Sequence, residues 1–315
     1  MRSLVLPLIA VLILVSCSGS DADSVEAQSP TAESAVEPAL VDSTPAPATT
    51  TTSIETPSTT VAASTTTSPS TSTTSILSTT TSTSTSMVPI PEVPGPLDLQ
   101  SDFVGLGFSV EGRPIFAERL GTPGGRRVLV IGVIHGDEDD GVAIIDELRS
   151  KPVPDGVELW IVESMNPDGQ ANRVRHNGNA VDLNRNFPYK WGPIGEPGNS
   201  QYAGIGPASE PETQALVNFI SQLQPDIAIW YHQDLFVINP ASGREGRIRA
   251  RYAELSGLPM GQITGGTYTG IAATWARTEL SPHDGVAFIV ELGASLTPAE
   301  TATHADAVLT VASEG

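Results

Sequence analysis

The sequence predicts one α/β domain over residues 97–315, a central mixed, mostly parallel sheet with helices on both faces. Three observations carry this. Apolar, β-branched runs alternate with stretches of helical periodicity. Three of the runs end in a histidine or a glutamate, and open α/β sheets hold their ligands at the C-terminal ends of strands. The composition beyond residue 96 is globular and long enough for one sizeable core.

In order, Phe108 to Ile115 predicts two strands around a Glu111-Gly112 turn. Val128 to Ile134 is a buried central strand, broken by Gly136. Val142, Ile145 and Leu148 share a helical face, closed by Lys151-Pro152. Val157 to Val162 is a further strand running into Asn166-Pro167-Asp168-Gly169, which reads as a turn. Residues 169–206 are irregular and rich in Asn, Gly and Pro, a length that usually marks function. Ser209 to Glu212 reads as a capping box opening a helix whose inner face is Leu216, Phe219, Ile220 and Leu223. Asp226 to Tyr231 is a strand ending at His232. A helix from Arg244 to Leu255 stops at Gly257. Val286 to Val290 is a strand ending at Glu291. Thr297 to Glu300 caps a last helix, with Ala305, Val308 and Leu309 inward and His304 on its surface.

The N-terminal third is a different kind of chain. Arg2 precedes an apolar run, Leu4 to Val15, too short to span a bilayer and followed by Ser16-Cys17. This resembles a bacterial lipoprotein signal, residues 1–17, whose Cys17 becomes lipid-modified after cleavage. Cys17 is the single cysteine, so no intramolecular disulfide forms. Residues 18–96 are Ser, Thr, Ala and Pro with scattered acids, too poor in large apolar groups to fold, and are expected to be a disordered stalk. About 75 such residues span about 50 Å. The expected location is therefore outside the membrane and tethered to it by lipid. The formal net charge is -20 without a basic block, which argues against nucleic acid as a partner.

The chemistry starts at His135-Gly136-Asp137-Glu138. Imidazole nitrogen and carboxylate oxygen are ordinary zinc ligands, and a catalytic zinc takes a third protein ligand and keeps an open position. His232 ends a second strand. Glu291 directly follows the apolar Val286 to Val290, where an unpartnered carboxylate is costly without a functional reason.

These pieces, with Ser109-Val110-Glu111-Gly112-Arg113-Pro114-Ile115, Asn166-Pro167-Asp168-Gly169 and Val181-Asp182-Leu183-Asn184-Arg185-Asn186-Phe187-Pro188, occur in order along the globular part. The chain resembles the zinc carboxypeptidase family of the carboxypeptidase A type, nearest its short bacterial members such as murein peptide amidases. The resemblance implies one zinc held by His135, Glu138 and His232, with Glu291 activating water there. It implies that Arg175 polarises the scissile carbonyl, with Arg173 as the rival. It implies that Asn184 and Arg185 hold the substrate's terminal carboxylate, and that Asp182 orients His135. Tyr268 matches a mobile tyrosine of the pancreatic enzymes, with a packing or lid role as the alternative. The side-chain pocket is expected near Ile271 to Thr274, where no charged residue is evident.

The expected activity is a zinc metallocarboxypeptidase or amidase that hydrolyses a peptide amide next to a residue with a free carboxylate. The expected substrate is a peptide, foremost a peptidoglycan stem peptide, and the enzyme is expected to be a monomer. Two alternatives are an N-acyl amino acid deacylase of the aspartoacylase type and a non-catalytic wall-binding module. Loss of Glu291 or a ligand would mark the latter, and all are present.

Overall fold

A computed structural model describes residues 95–264 and 268–315. The signal, Cys17 and nearly all of the stalk lie outside the described residues. Among those described, no helix is long and apolar enough to cross a membrane.

Six strands form one sheet: β1 (Phe103–Phe108), β2 (Pro114–Gly121), β3 (Arg126–Val133), β4 (Val157–Ser164), β5 (Ile227–Gln233) and β6 (Val286–Leu292). Their spatial order is β1-β2-β4-β3-β5-β6. The first two pairings, β1 with β2 and β2 with β4, are antiparallel, and β4-β3-β5-β6 run parallel. The mixed, mostly parallel sheet is thus as expected.

Alternate residues of each central strand feed two separate cores, as the two-residue period of a strand requires. Val128, Val130, Ile227, Ile229 and Phe288 pack one face, under α1 (Gly141–Ser150), α4 (Gly243–Ser256) and α6 (Pro298–Glu314). Leu129, Ile131, Ala228, Trp230 and Ala287 pack the other, under α3 (Pro211–Leu223) and α5 (Ala272–Leu280). With both faces covered, the inner strands are apolar throughout.

Four local readings change. The Asn166-Pro167-Asp168-Gly169 segment is the start of a short helix, α2 (Pro167–Asn172), with Pro167 at its first turn and the Asn166 side chain accepting from Gly169 N. The Ser209 capping box does not form. Glu210 is the N-cap, and Glu212 instead accepts from Val110 N and Asn177 Nδ2. Helix α5 is additional, its inner face set by Ala272, Ala273, Trp275, Ala276 and Leu280. Finally, His304 is buried rather than on the helix surface, and its Nδ1 lies 2.9 Å from Tyr252 Oη, itself 2.8 Å from Tyr231 Oη. The Thr297–Glu300 capping box at α6 is present as read.

Candidate metal centre

The site lies beyond the C-terminal ends of β3, β5 and β6. His135 follows β3 by one buried residue, Ile134. Gly136 then lets the chain turn against α2, where a Cβ would come 1.9 Å from the Gly169 carbonyl carbon. Only glycine allows that approach. His232 and Glu291 are register partners on the adjacent parallel strands β5 and β6, so their side chains emerge together on the same side of the sheet.

His135, Glu138 and His232 each offer a ligand atom, and these atoms all lie within 4.8 Å of one another. Glu138 Oε1 is 2.9 Å from His135 Nδ1, and its Oε2 is 3.0 Å from His232 Nδ1. Gln233 N donates to the same Oε2 at 3.1 Å. Burial pushes the Glu138 pKa up, and both histidines outweigh it, holding this carboxyl well below the usual range.

Asp182 decides how His135 is used. It is fully buried, its Oδ1 lies 3.0 Å from His135 Nε2, and the same oxygen accepts from Asn184 N. Burial alone would raise the Asp182 pKa, but His135, Arg175 and Arg185 hold it far below the ordinary carboxylate range. An ionised carboxylate only accepts, so Asp182 holds a proton on His135 Nε2, and a cation at the site would meet the Nδ1 lone pair beside Glu138. Two lone pairs so close call for a positive charge between them. That charge now comes from Arg175, whose Nη1 donates to Glu138 Oε1 at 3.0 Å and lies 3.0 Å from His135 Nδ1. The donor set, two imidazoles and a carboxylate with a carboxylate behind the first imidazole, fits zinc.

Glu291 is 9% exposed, at the mouth of the cluster. Burial first, then the like charge of Glu138, push its pKa up to about 7. A carboxyl tuned near neutrality in a cleft is suited to taking and returning a proton.

The cleft, a cavity of about 430 Å³, is lined by all three candidate ligands together with Glu291, Arg175, Asn184, Arg185 and Tyr268. The structure therefore brings together every cleft residue anticipated above. Arg175 does not reach freely into it: Nε and Nη2 also grip Asp182 Oδ2 at 3.1 and 2.9 Å. Asn184 and Arg185 sit in a 3-10 turn, Leu183–Arg185, started by the Asp182 side chain. The Asn184 Oδ1 accepts from Ala272 N. The Arg185 Nε is buried without a hydrogen-bond partner, and its guanidinium carbon lies 5.5 Å from the Tyr268 ring centroid. Gly270, at φ +57°, lies over this turn, and a Cβ there would come 2.2 Å from the Arg185 carbonyl oxygen.

Ile271, Ala273 and Thr274 line the same cleft, as expected for the side-chain pocket. Residues 271–274 carry no charge themselves, but Arg249 from α4 and Arg277 from α5 line the same cleft, and neither was anticipated from the sequence. Gln233 was also missed. No local motif marks any of the three.

The motifs around Ser109 and Asp168 lie elsewhere. Asp168 is buried and accepts from Ser109 Oγ at 2.6 Å, Glu111 N at 2.8 Å and Arg113 Nη1 at 2.6 Å. The Asn166 Nδ2 donates to the Ile134 and Arg175 carbonyls, fixing the backbone beside His135.

Comparison with known proteins agrees with this geometry. The zinc carboxypeptidase family model matches residues 100–240. Murein peptide amidase A of Escherichia coli (strain K12) is 31% identical over 166 residues, covering 49% of this chain and 67% of that protein. Carboxypeptidase SOL1 of Arabidopsis thaliana is 29% identical over 166 residues, covering 47% of this chain and 32% of that one. The crystal structure of murein-tripeptide amidase from Escherichia coli O157 superposes with TM-score 0.54 at 25% identity, covering 67% of this chain and 92% of that one. The fold is shared with carboxypeptidase A of Helicoverpa armigera, at TM-score 0.60, 19% identity and 67% of either chain. The family-model match, the 31% identity to murein peptide amidase A over two thirds of that protein and the shared fold agree, and on that ground the chain belongs to the zinc carboxypeptidase family.

Proposed function

We propose that this zinc-dependent peptidase cleaves the amide before a residue bearing a free carboxylate, in peptides of the bacterial cell envelope. The single observation that carries the reading is one cleft holding the His135–Glu138–His232 cluster, the raised acid Glu291 and the Asn184–Arg185 turn. The envelope substrate is supported by the likeness to murein peptide amidase A and by the sequence of the N-terminal third. There Cys17 would carry a lipid, and residues 18–96 would let the domain range through the wall while tethered outside the membrane.

In this reading His135, Glu138 and His232 hold one zinc. Bound there, it supplies a Lewis acid for the scissile carbonyl and lowers the pKa of water to about 7. Asp182 keeps the His135 proton on Nε2, so the Nδ1 lone pair stays directed at the site. Glu291 removes a proton from the attacking water and returns it to the leaving amine nitrogen. Arg175, whose Nη1 already stands 3.0 Å from Glu138 Oε1 at the edge of the site, would stabilise the developing oxyanion. The unpartnered Nε of Arg185 and the Asn184 amide grip the terminal carboxylate, and Tyr268 closes over Arg185.

Digestion of purified peptidoglycan by the zinc-loaded chain, with mass spectrometry of the products, tests the reading. Release of a stem-peptide fragment by the wild type and not by Glu291→Gln is expected. Intact stem peptides after digestion by the wild type would refute the substrate. Absence of stoichiometric zinc and of hydrolysis on any acyl-dipeptide would refute the chemistry, leaving a wall-binding module.

A further inference from the structure

We propose that Arg249 and Arg277 read a carboxylate on the side chain of the residue released by hydrolysis, so that the preferred substrate carries two carboxylates on that residue. The inference rests on the hydrolase reading above and adds the side-chain class.

The two arginines come from different helices and meet on Glu245. Arg249 lies one helical turn after Glu245 on α4, and its Nη2 donates to Glu245 Oε1. The Arg277 Nε on α5 lies 3.2 Å from the same oxygen. One carboxylate thus faces two guanidinium groups, leaving one positive charge over. Glu245 stands outside the cleft lining, whereas both arginines line it.

Neither arginine is used up by the fold. Arg249 is 4% exposed; Nη1 donates to the Asn239 carbonyl at 2.6 Å, but its Nε is buried without a partner. The guanidinium carbon of Arg249 also lies 5.6 Å from the Phe288 ring centroid. Arg277, 43% exposed in its side chain, makes no hydrogen bond among the described residues, its Nε included. A buried cation with an idle donor is costly, and an arriving carboxylate supplies both the charge and the acceptor.

The rest of the pocket agrees. Ile271, Ala273 and Ile289 give an apolar wall, and Ala273 and Thr274 are small enough to leave room for a side chain. The cleft as a whole carries four arginines, Arg175, Arg185, Arg249 and Arg277, against Glu138 and Glu291. This cationic cleft sits in a chain of formal net charge -20, a local field that favours an anionic substrate there.

The test uses the full, zinc-loaded chain and acyl-dipeptides that differ only in the released residue: glutamate, its neutral isostere glutamine, and lysine. Glutamate should exceed glutamine by about tenfold or more in kcat/KM, the range of a hydrogen bond to a charged group. Arg277→Gln should bring that ratio towards one, and Arg277→Glu should turn the preference towards lysine. Equal rates for glutamate and glutamine, or a ratio unchanged in Arg277→Gln, overturn the proposal. Calorimetric binding of the same peptides to Glu291→Gln separates the two readings. Tighter binding of the glutamate peptide without hydrolysis by the wild type sinks the hydrolase and keeps this inference. Hydrolysis without a preference does the reverse, and neither binding nor hydrolysis overturns both.

Discussion

Two buried aspartates near the C-terminal edge of the sheet are built almost alike. Asp182 accepts from a backbone N–H, Asn184, and from an arginine, Arg175, and meets a side-chain partner, His135. Asp168 accepts from a backbone N–H, Glu111, from an arginine, Arg113, and from a side-chain partner, Ser109. Burial opposes ionisation of both, and their partners outweigh it, so both pKa values are lowered. Both lie in conspicuous motifs. Only Asp182 serves the cleft, because its partner His135 keeps a second nitrogen free for the site, while the Ser109 hydroxyl donates to Asp168 and accepts from Arg113 N. The difference lies in what the partner has left over, and the anion itself does not reveal it.

The comparison breaks or sharpens under substitution. The largest effect belongs on the cleft side, at Glu291→Gln. We expect kcat to fall by about 10²–10⁴-fold with zinc retained and the thermal midpoint held or raised, since the change removes a buried acid. Metal analysis and calorimetry on the same sample check this. Asp182→Asn should lower zinc affinity or activity by about 10–100-fold, read by competition with a chelator. Asp168→Asn should cost about 2 kcal/mol in a denaturant titration, yet leave kcat/KM of the folded fraction within about twofold. Should Asp168→Asn lose activity in proportion to Asp182→Asn, the distinction between the two clusters is wrong.

An effect confined to acid pH comes from a third buried polar group. Burial lowers the His304 pKa to about 4, below its ordinary 6.5. The unfolded chain takes up a proton as pH falls below 6.5 and the folded chain does so only near 4. Stability is therefore complete above 6.5 and declines towards pH 4, by about 3 kcal/mol for this one group. His304→Gln should flatten that part of the stability–pH curve and leave the curve above pH 7 unchanged in shape.

Much of this was legible in the chain. His232 and Glu291 each close an apolar strand, so their placement at the site follows from strand topology alone, and His135 stands out beside Gly136. The sheet follows from runs such as Val128 to Val133, buried on both sides. The arginines of the cleft wall, Arg249 and Arg277, were not legible. Arg249 is one of four arginines on α4, with Arg244, Arg247 and Arg251, and only the packing of α4 against β6 selects it. Helix α5 is short and alanine-rich, with no capping signal to announce it. His304 misled because its neighbours Glu300 and Asp306 are exposed, although Ala305 and Val308 share its inner face. The Ser209 capping box failed because Glu212 had tertiary donors to satisfy.

The pairing of His232 with Glu291 across β5 and β6 has a consequence for how this catalyst tolerates change. Insertions and deletions in the long connection between the two strands leave their spacing untouched, because backbone hydrogen bonds, and not loop length, set it. A slip of one position along β6 would instead carry the acid to the opposite layer and present Val290 or Leu292 to the cleft. Connecting segments are thus free to diverge around a fixed pair, and substrate range can drift while the reaction stays put.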